Sequence, residues 1–195
     1  VEELARCDGS LARTVASHNS LGVDRVLRFG ADAQRARLLP PAARGEWLAA
    51  WALEEPGVDD PAALRARALR RGDGWVVDGV KRGVAQGSVG GFCVVFAVTD
   101  PSRGAEGVTA FAVEHGTPGM RVSRRVETLG MRACDTVELT FDECWVRDDA
   151  RLGAVNAGLA DAAEVLHRAR VVTAALALGL GEGALDAAVA YARDR

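Results

Sequence analysis

The sequence predicts an α+β fold in which a β-rich segment lies between two helical ones. Three observations predict this order. Apolar residues recur at helical spacing over the first 45 residues, short β-branched runs follow from residue 47 to about 152, and the helical period returns from Leu159. We therefore predict three domains or parts of domains, at residues 1–46, 47–152 and 153–195.

The N-terminal segment has the apolar spacing of helices that bury one face. Gly30 followed by Asp32 is typical of a helix stop and a new helix start. Pro40 and Pro41 are predicted to end that second helix, because proline cannot donate a backbone hydrogen bond and restricts the residue before it. The periodic apolar residues are Leu4, Leu11, Val15, Leu21, Val26 and Leu27.

The middle segment consists of short apolar runs separated by Gly, Asp and Pro. In TVELTF, Val137, Leu139 and Phe141 occupy one face of a strand, as expected for a half-buried antiparallel strand. The segment VKRGVAQGS, at 80–88, is predicted to be a loop that follows a strand pair. The predicted strands are WLAAWAL, WVVDG, FCVVFAV, VTAFAV, MRVS, TVELTF and CWV.

The C-terminal segment predicts a helix that is buried within a bundle, because Ala and Leu fall on every face of residues 171–190. Gly181 and Gly183 are predicted to allow close helix packing rather than to bind a nucleotide. The longest apolar run, at 171–181, is far shorter than the ~20 residues that cross a bilayer, so we predict no membrane span. Because the helical pattern stops unfinished, we expect the chain to be part of a longer protein.

Composition argues against several classes of protein. A net charge of −3, without a basic patch interleaved with aromatics, is not typical of a nucleic-acid-binding protein. The four cysteines form no CxxC pair and no histidine cluster accompanies them, so we expect buried free thiols and no metal site. The start of the sequence has no secretory signal pattern, which predicts a cytoplasmic location. These cysteines are Cys7, Cys93, Cys134 and Cys144.

Four carboxylates stand within seven residues around a Pro-Gly turn. Like charges at this spacing raise one another's pKa, so these residues are candidates for proton transfer. A solvated acidic turn explains the same pattern. The four are Glu54, Glu55, Asp59 and Asp60.

The order of motifs along the whole chain resembles the acyl-CoA dehydrogenase family. HNSL at 18–21 and LLPPAARGE at 38–46 are similar to its helical lead-in, and WALEEPG at 51–57 to its strand ending in Thr-Glu-Pro-Gly. GDGWVVDGVK at 72–81 resembles its hairpin, and LGMRACDTVELTFDECWV at 129–146 its Leu-Gly-x-Arg-x-x-x-Thr signature. The resemblance implies a helical N-terminal part, a β-barrel-like middle domain and the start of a C-terminal helical bundle.

The resemblance also implies a chemistry. In such enzymes FAD lies against the β-domain and an acyl thioester, carried by CoA or an acyl carrier protein, crosses the isoalloxazine face. A glutamate removes the α-proton while the β-hydrogen leaves as hydride to the flavin. Such proteins complete the cofactor site across subunits, so a homo- or hetero-oligomer is expected.

The flavin-contact motifs depart from the family pattern. Gly83 stands where the family has a flavin-packing Trp, and Ala85 where it has a Thr near flavin N5. Each loss removes on the order of 1 kcal/mol of interaction with the flavin. The backbones of Val84 and Ala85 remain available. The predicted flavin contacts are Trp51, Leu53, Glu54, Gly83, Val84 and Ala85.

Candidate substrate and catalytic residues follow from the same resemblance. Arg170 matches the arginine of a Gly-Arg pair near the catalytic base, and Ala169 occupies a position where some members place the base itself. The more common base lies beyond residue 195. The predicted substrate contacts are Asp59, Leu166 and Arg170, and the predicted catalytic residues are Arg170, Glu54 and Glu55.

Three functions remain open from the sequence. The first is a flavoenzyme that oxidises the CH-CH bond of an acyl thioester. The second is a flavin-free descendant that serves as a non-catalytic partner subunit. The third function is a non-redox acyl-thioester enzyme that uses Glu54, Glu55 or Asp59 for proton transfer.

Overall fold

Four short helices and one π-helical turn form the N-terminal part of the computed structural model, which describes residues 1–195. Asp8 caps the second helix by accepting hydrogen bonds from the backbone N–H groups of Ser10 and Leu11. Contrary to the sequence prediction, Pro40 and Pro41 lie inside the fourth helix, which continues past them to Ala43. The helices are α1 (Glu2–Cys7), α2 (Gly9–Ser17), α3 (Asp24–Phe29) and α4 (Asp32–Ala43), with the π-helical turn at His18–Val23.

A sheet of eight strands forms the middle of the chain. The strand order is β6-β7-β3-β2-β4-β5-β8, with β1 parallel to β4. The sheet curves around one core, to which six of its strands contribute, and a second core lies between the sheet and the helices. The strands are β1 (Ala49–Ala52), β2 (Arg67–Arg71), β3 (Gly74–Ala85), β4 (Phe92–Val98), β5 (Val108–Glu114), β6 (Met120–Arg125), β7 (Thr136–Arg147) and β8 (Arg151–Leu152).

Strand β7 confirms the predicted alternation and joins two predicted strands into one. Val137, Leu139 and Phe141 are all buried in the first core, whereas Glu138 and Thr140 are partly exposed. This pattern fits a strand with one face on the core.

Strand β3 corrects the prediction of a loop at 80–88, because the strand continues to Ala85. Lys81 pairs with Leu139 and Val84 with Val137, so β3 carries one more residue than β7 between these pairs. This is a β-bulge, and Gly83 takes the left-handed conformation there, with φ +65°. Glycine adopts this conformation without the steric cost that other residues incur.

One fully buried arginine ties the helices to the edge of the sheet. Arg25 donates to the carbonyl of Leu152, at 2.9 Å, and pairs with Asp161, at 3.0 Å. Its guanidinium also lies over the ring of Phe29. Burial lowers the pKa of Arg25, and Asp161 offsets part of that effect. This arrangement fixes α3 against β8 and the last helix.

The last helix, α5 (Gly158–Asp194), packs against α1 and α2 and leaves much of its apolar surface exposed. Burial of α5 within a bundle stays a prediction, because within residues 1–195 this helix is covered only in part. Close packing is made by Gly179 and Gly183, where an added Cβ would meet the backbone of Glu2 and Arg6, whereas Gly181 faces open space. The exposed apolar residues are Val171, Leu178, Leu180, Leu185, Val189 and Tyr191.

By length and composition alone, α5 is long and apolar enough to cross a membrane. Core helices of water-soluble proteins reach the same length and hydropathy, so one such helix does not establish a membrane span. Asp186 in this helix forms an ion pair with Arg6 of α1.

The cysteines match the prediction at three of four positions. Cys93, Cys134 and Cys144 are buried free thiols, whereas Cys7 is exposed. Burial raises the pKa of Cys144 to about 11, so this thiol stays protonated at neutral pH.

Candidate functional site

One cavity of about 800 Å³ lies between the sheet and the helices. Residues far apart in the sequence meet in it. The sheet and its connections contribute Trp51, Leu53, Glu54, Val58, Asp59, Pro61, Leu64, Arg82, Gly83, Ala85 and Met131. The helices contribute Arg13, Ala16, Ser17, Ser20, Leu21, Leu166, Ala169, Arg170, Thr173 and Leu176.

The sheet side of the cavity is built from the end of β1 and the bulge of β3. Trp51 packs its ring against Phe96, with centroids 4.6 Å apart, which fixes the indole. At Gly83 an added Cβ would meet only the carboxylate of Glu54, at 3.6 Å, so the backbone here is open to the cavity. Ala85 adds a second small residue to this surface.

An arginine holds the two carboxylates of the cavity. Arg82 Nη2 donates to Asp59 Oδ1 at 3.3 Å, and its Nε lies 3.8 Å from Glu54 Oε2. The backbone N–H of Arg82 also donates to the carbonyl of Glu54, at 2.9 Å. The carboxylates are well solvated, since the side chains of Glu54 and Asp59 are 69% and 97% exposed.

Directly behind this pair lies a second, buried one. Lys81 Nζ lies 2.7 Å from Glu55 Oε1, and both side chains are almost completely buried. Glu55 also accepts hydrogen bonds from the backbone N–H groups of Arg65 and Ala66, and Lys81 donates to the carbonyl of Leu53. Burial lowers the pKa of Lys81, and the charge of Glu55 offsets part of that effect. The pair joins the bulge of β3 to the 53–66 connection.

A buried glutamine joins the bulged strand to the helices. Gln86 has a positive φ of 57° and is 1% exposed, and its Oε1 accepts a hydrogen bond from Ser17 Oγ at 3.0 Å. Its backbone N–H donates to the carbonyl of Asp135. These bonds fix Ala85 beside α2.

The helical side of the cavity combines apolar residues with two arginines. Arg13, Ser17 and Ser20 lie on one face of α2 and the π-helical turn, and Arg170 lies on α5. Neither arginine forms an ion pair or a hydrogen bond within the chain. The cavity therefore holds three arginines against two carboxylates, which favours an anionic ligand.

Eight of the ten site residues predicted from the sequence line this cavity: Trp51, Leu53, Glu54, Asp59, Gly83, Ala85, Leu166 and Arg170. Val84 does not, because its side chain points into the first core. Glu55 does not either, and the prediction of a catalytic role for it is corrected, since its carboxylate is buried and bound to Lys81 and two backbone N–H groups.

Sequence reasoning missed several cavity residues. Arg13, Ser17 and Ser20 share a face by their spacing of four and three residues, which is a visible signal, but nothing in the sequence showed what that face contacts. Met131 comes from the β6–β7 connection and lines the cavity with a positive φ of 52°, a conformation that no pattern indicated.

The chain, whose helices lie on one side of a curved sheet with a cavity between them, matches two models of one protein family. The first is acyl-CoA dehydrogenase, N-terminal domain, over residues 1–46, and the second is acyl-CoA dehydrogenase, middle domain, over residues 49–144. The chain belongs to the acyl-CoA dehydrogenase family, and the resemblance predicted from its motifs is confirmed.

Particular relatives agree with this assignment. The chain is 35% identical to the mitochondrial isovaleryl-CoA dehydrogenase of Oryza sativa subsp. japonica, over 100% of the chain and 48% of that protein. It is 34% identical to the solved butyryl-CoA dehydrogenase from Megasphaera elsdenii, with a TM-score of 0.96 over 100% of the chain and 51% of that chain. A solved FAD-dependent dehydrogenase is 30% identical, with a TM-score of 0.94 over 100% of the chain and 53% of that chain. The chain thus spans about half the length of the relatives that it matches.

Proposed function

We propose that this chain forms the cofactor- and substrate-binding half of a flavoprotein that oxidises the CH-CH bond of an acyl thioester. The observation that carries the proposal is the cavity itself. Residues 51–59, 82–85 and 166–170 come together in one space of about 800 Å³, at the positions that the family resemblance assigned to flavin and substrate. This volume is typical of cavities that bind cofactors and small molecules.

The residues present fit a planar cofactor. Gly83 leaves the backbone open over the cavity, and Ala85 leaves space beside it. Val84 and Ala85 would hold FAD through backbone groups, with Trp51 and Leu53 excluding water from its surroundings. When bound, FAD supplies an acceptor for the hydride that leaves the β-carbon.

Arg82 has a specific task in this proposal. It lies between Glu54 and Asp59, so its charge offsets two carboxylates that would otherwise disfavour electron density on a cofactor nearby. Leu166, Ala169 and Leu176 give the helical side an apolar surface against which an acyl chain packs. Arg170 would orient the thioester from α5.

A second function is favoured by one observation. The bulge carries neither an aromatic nor a hydroxyl side chain, so flavin would lose stacking area and a hydrogen bond at Gly83 and Ala85. This supports a flavin-free partner subunit beside an active family member. The non-redox enzyme has less support, because Glu55 is bound in the buried pair while Glu54 and Asp59 are exposed and held by Arg82.

Assembly and location complete the proposal. The exposed apolar residues of α5 are suited to contact with further helices, in the same protein or in another subunit, so we propose a homo- or hetero-oligomer. We also propose that the protein acts in the cytoplasm on a thioester of CoA or an acyl carrier protein, with no nucleic-acid partner.

The absorption spectrum of the purified protein tests the proposal. A flavin band that bleaches when an acyl-CoA is added under anaerobic conditions supports the oxidoreductase. Protein without flavin, which also fails to take up added FAD, contradicts it and supports the partner subunit. Conversion of a thioester without flavin and without an electron acceptor would instead support the non-redox enzyme.

A further inference from the structure

An apolar stripe crosses the outer face of the sheet, where β2, β3 and β7 lie side by side. Leu69 of β2 is the register partner of Val76 in β3, and Val76 is the partner of Trp145 in β7. The chain neighbours of Val76, which are Trp75 and Val77, both point into the first core, so the side chains of the stripe face the opposite side. Leu69 is 61% exposed and Trp145 is 42% exposed. The stripe is therefore an apolar surface that faces solvent.

The stripe is held in a fixed arrangement. Side chains of register partners lie about 4.5–5.5 Å apart at Cβ, so Leu69 and Trp145 flank Val76. Val76 is only 8% exposed although it belongs to neither core, which indicates that these two neighbours cover it. The indole of Trp145 lies over Gly74, where an added Cβ would be 2.8 Å from a ring carbon. Since the surface is already ordered, a partner binds it without the entropy cost of ordering it.

Three arginines line one side of the stripe. Exposed and buried side chains alternate over residues 64–69, and the arginines share the exposed side with Leu69. Their side chains form no ion pair and no hydrogen bond within the chain. By contrast, Arg70 points to the other side, where it pairs with Asp148 and lies over the ring of Trp75. The three unpaired arginines are Arg65, Arg67 and Arg71.

No nearby carboxylate neutralises these arginines. Asp78 is the register partner of Arg67 but forms no ion pair with it, and its Oδ1 accepts a hydrogen bond from the backbone N–H of Glu143, at 2.7 Å. On β7, Arg147 is engaged with Asp149, at 3.2 Å. The stripe and the three arginines, which together we call the β2 face, therefore combine an apolar centre with free positive charge.

We propose that the β2 face binds an acidic segment of another protein, one that places an apolar side chain between carboxylates. Each guanidinium can donate two parallel hydrogen bonds to a carboxylate. An apolar centre bordered by polar groups is the usual composition of a protein interface, and an exposed patch of this kind marks an interaction site. The inference does not depend on the proposed function, because no residue of the β2 face lines the cavity.

The charge and the side chains of the β2 face argue against other occupants. A second copy of the chain would bring the same arginines together, and like charges across an interface are unfavourable. Leu69 and Val76 have no ring on which a base can stack, which favours a protein over single-stranded nucleic acid. Carboxylates around an aliphatic or aromatic side chain match both the charge and the apolar centre.

Two labelled peptides test this inference on the purified full-length protein. In the first peptide, Leu and Phe are flanked on both sides by pairs of Glu, and in the second, Gln replaces every Glu. By fluorescence anisotropy at low salt, we expect the Glu peptide to bind about 10-fold more tightly or better, as for hydrogen bonds between charged groups. The preference should fall as salt is added, because exposed charges are screened.

Substitutions separate the charged and the apolar parts of the β2 face. Arg65→Gln, Arg67→Gln and Arg71→Gln together should reduce the preference for the Glu peptide to less than about threefold. Trp145→Ser should weaken both peptides by about fivefold or more, as for aromatic residues near the centre of an interface. Circular dichroism of each variant verifies that it is folded.

A matched control removes three exposed, unpaired arginines from β6 and the connection that follows it. This control variant combines Arg121→Gln, Arg124→Gln and Arg132→Gln, and it should keep the full preference. If it lost the preference as completely as the first triple variant, the peptide would respond to net charge alone, and the inference would fail.

Other outcomes would also overturn the inference. Equal binding of the two peptides, or binding of neither, would show that the β2 face does not hold an acidic segment in the full-length protein. A preference that survives the loss of the three arginines would place the peptide elsewhere. A single-stranded oligonucleotide that displaces the Glu peptide, and that also loses affinity in the first triple variant, would assign the face to nucleic acid instead.

Discussion

Lys81 and Glu55 form a buried ion pair, 2.7 Å from Nζ to Oε1, and their chain neighbours Arg82 and Glu54 line the cavity. The inner pair is shielded from water, whereas the outer pair is solvated. Two ion pairs therefore join residues 54–55 to residues 81–82. The buried pair stabilises the fold, and the exposed pair lies at the cavity.

Removal of the Lys81 ammonium group should strongly lower the free energy of unfolding. Lys81→Met leaves the carboxylate of Glu55 buried without a cation, and we expect the free energy of unfolding to fall by about 3–5 kcal/mol. Arg82→Gln breaks only the exposed pair and should cost about 1 kcal/mol or less. Urea denaturation of both variants measures the difference, and equal losses would contradict a structural role for the inner pair.

His18 should make stability depend on pH. Its Nδ1 accepts a hydrogen bond from the backbone N–H of Ala49, at 2.9 Å, and burial lowers its pKa, partly offset by a hydrogen bond with the backbone of Ala42. The unfolded chain therefore binds the proton more readily, and the free energy of unfolding should fall as the pH drops below about 6.5 toward the folded pKa.

An Asn variant isolates this effect. His18→Asn retains an acceptor for Ala49 without a titrating group, so the loss of stability between about pH 7 and 5 should be smaller than in the wild type. His167→Asn removes an exposed histidine of α5 that forms no hydrogen bond and serves as the matched control. If His18→Asn and the wild type show the same slope of unfolding free energy against pH, His18 is not the sensor.

Ala85 and Gly83 should respond differently to the family residues. Ala85→Thr adds a hydroxyl at the cavity and should tighten flavin by about 2- to 10-fold, in line with one hydrogen bond. Gly83→Trp adds a ring worth about 0.5–1.5 kcal/mol of stacking on the flavin, whereas the positive φ at this position should lower the free energy of unfolding by about 1–2 kcal/mol. The sequence alone predicts that the two together tighten flavin.

Fluorescence titration with FAD measures these affinities. Ala63→Thr, an exposed alanine outside the cavity, is the matched control for the added hydroxyl and should leave the affinity unchanged. A weaker affinity in Ala85→Thr would mean that this residue does not face the flavin.

Two glycines of α5 should respond in opposite directions to alanine. Gly179→Ala places a Cβ against the carbonyl oxygen of Glu2, closer than van der Waals contact allows, and should cost about 1–3 kcal/mol of unfolding free energy by overpacking. Gly181→Ala meets no atom within 4 Å and should stabilise the helix by up to about 1 kcal/mol. Thermal unfolding compares them, and a loss in both would show that Gly181 packs against something.

The sequence by itself determined the family and the order of helices and strands. It also indicated eight of the residues that line the cavity, because motifs such as WALEEPG and GDGWVVDGVK mark the ends of strands that border it. It did not distinguish Glu54 from Glu55, since successive residues of an extended segment point to opposite sides and only the packing shows which side is buried. Tertiary structure alone decided that Lys81 neutralises Glu55, that a bulge turns Gly83 toward the cavity, and that Arg13 faces the cavity without a partner. These depend on contacts between segments far apart in the chain, and local pattern carries no information about such contacts.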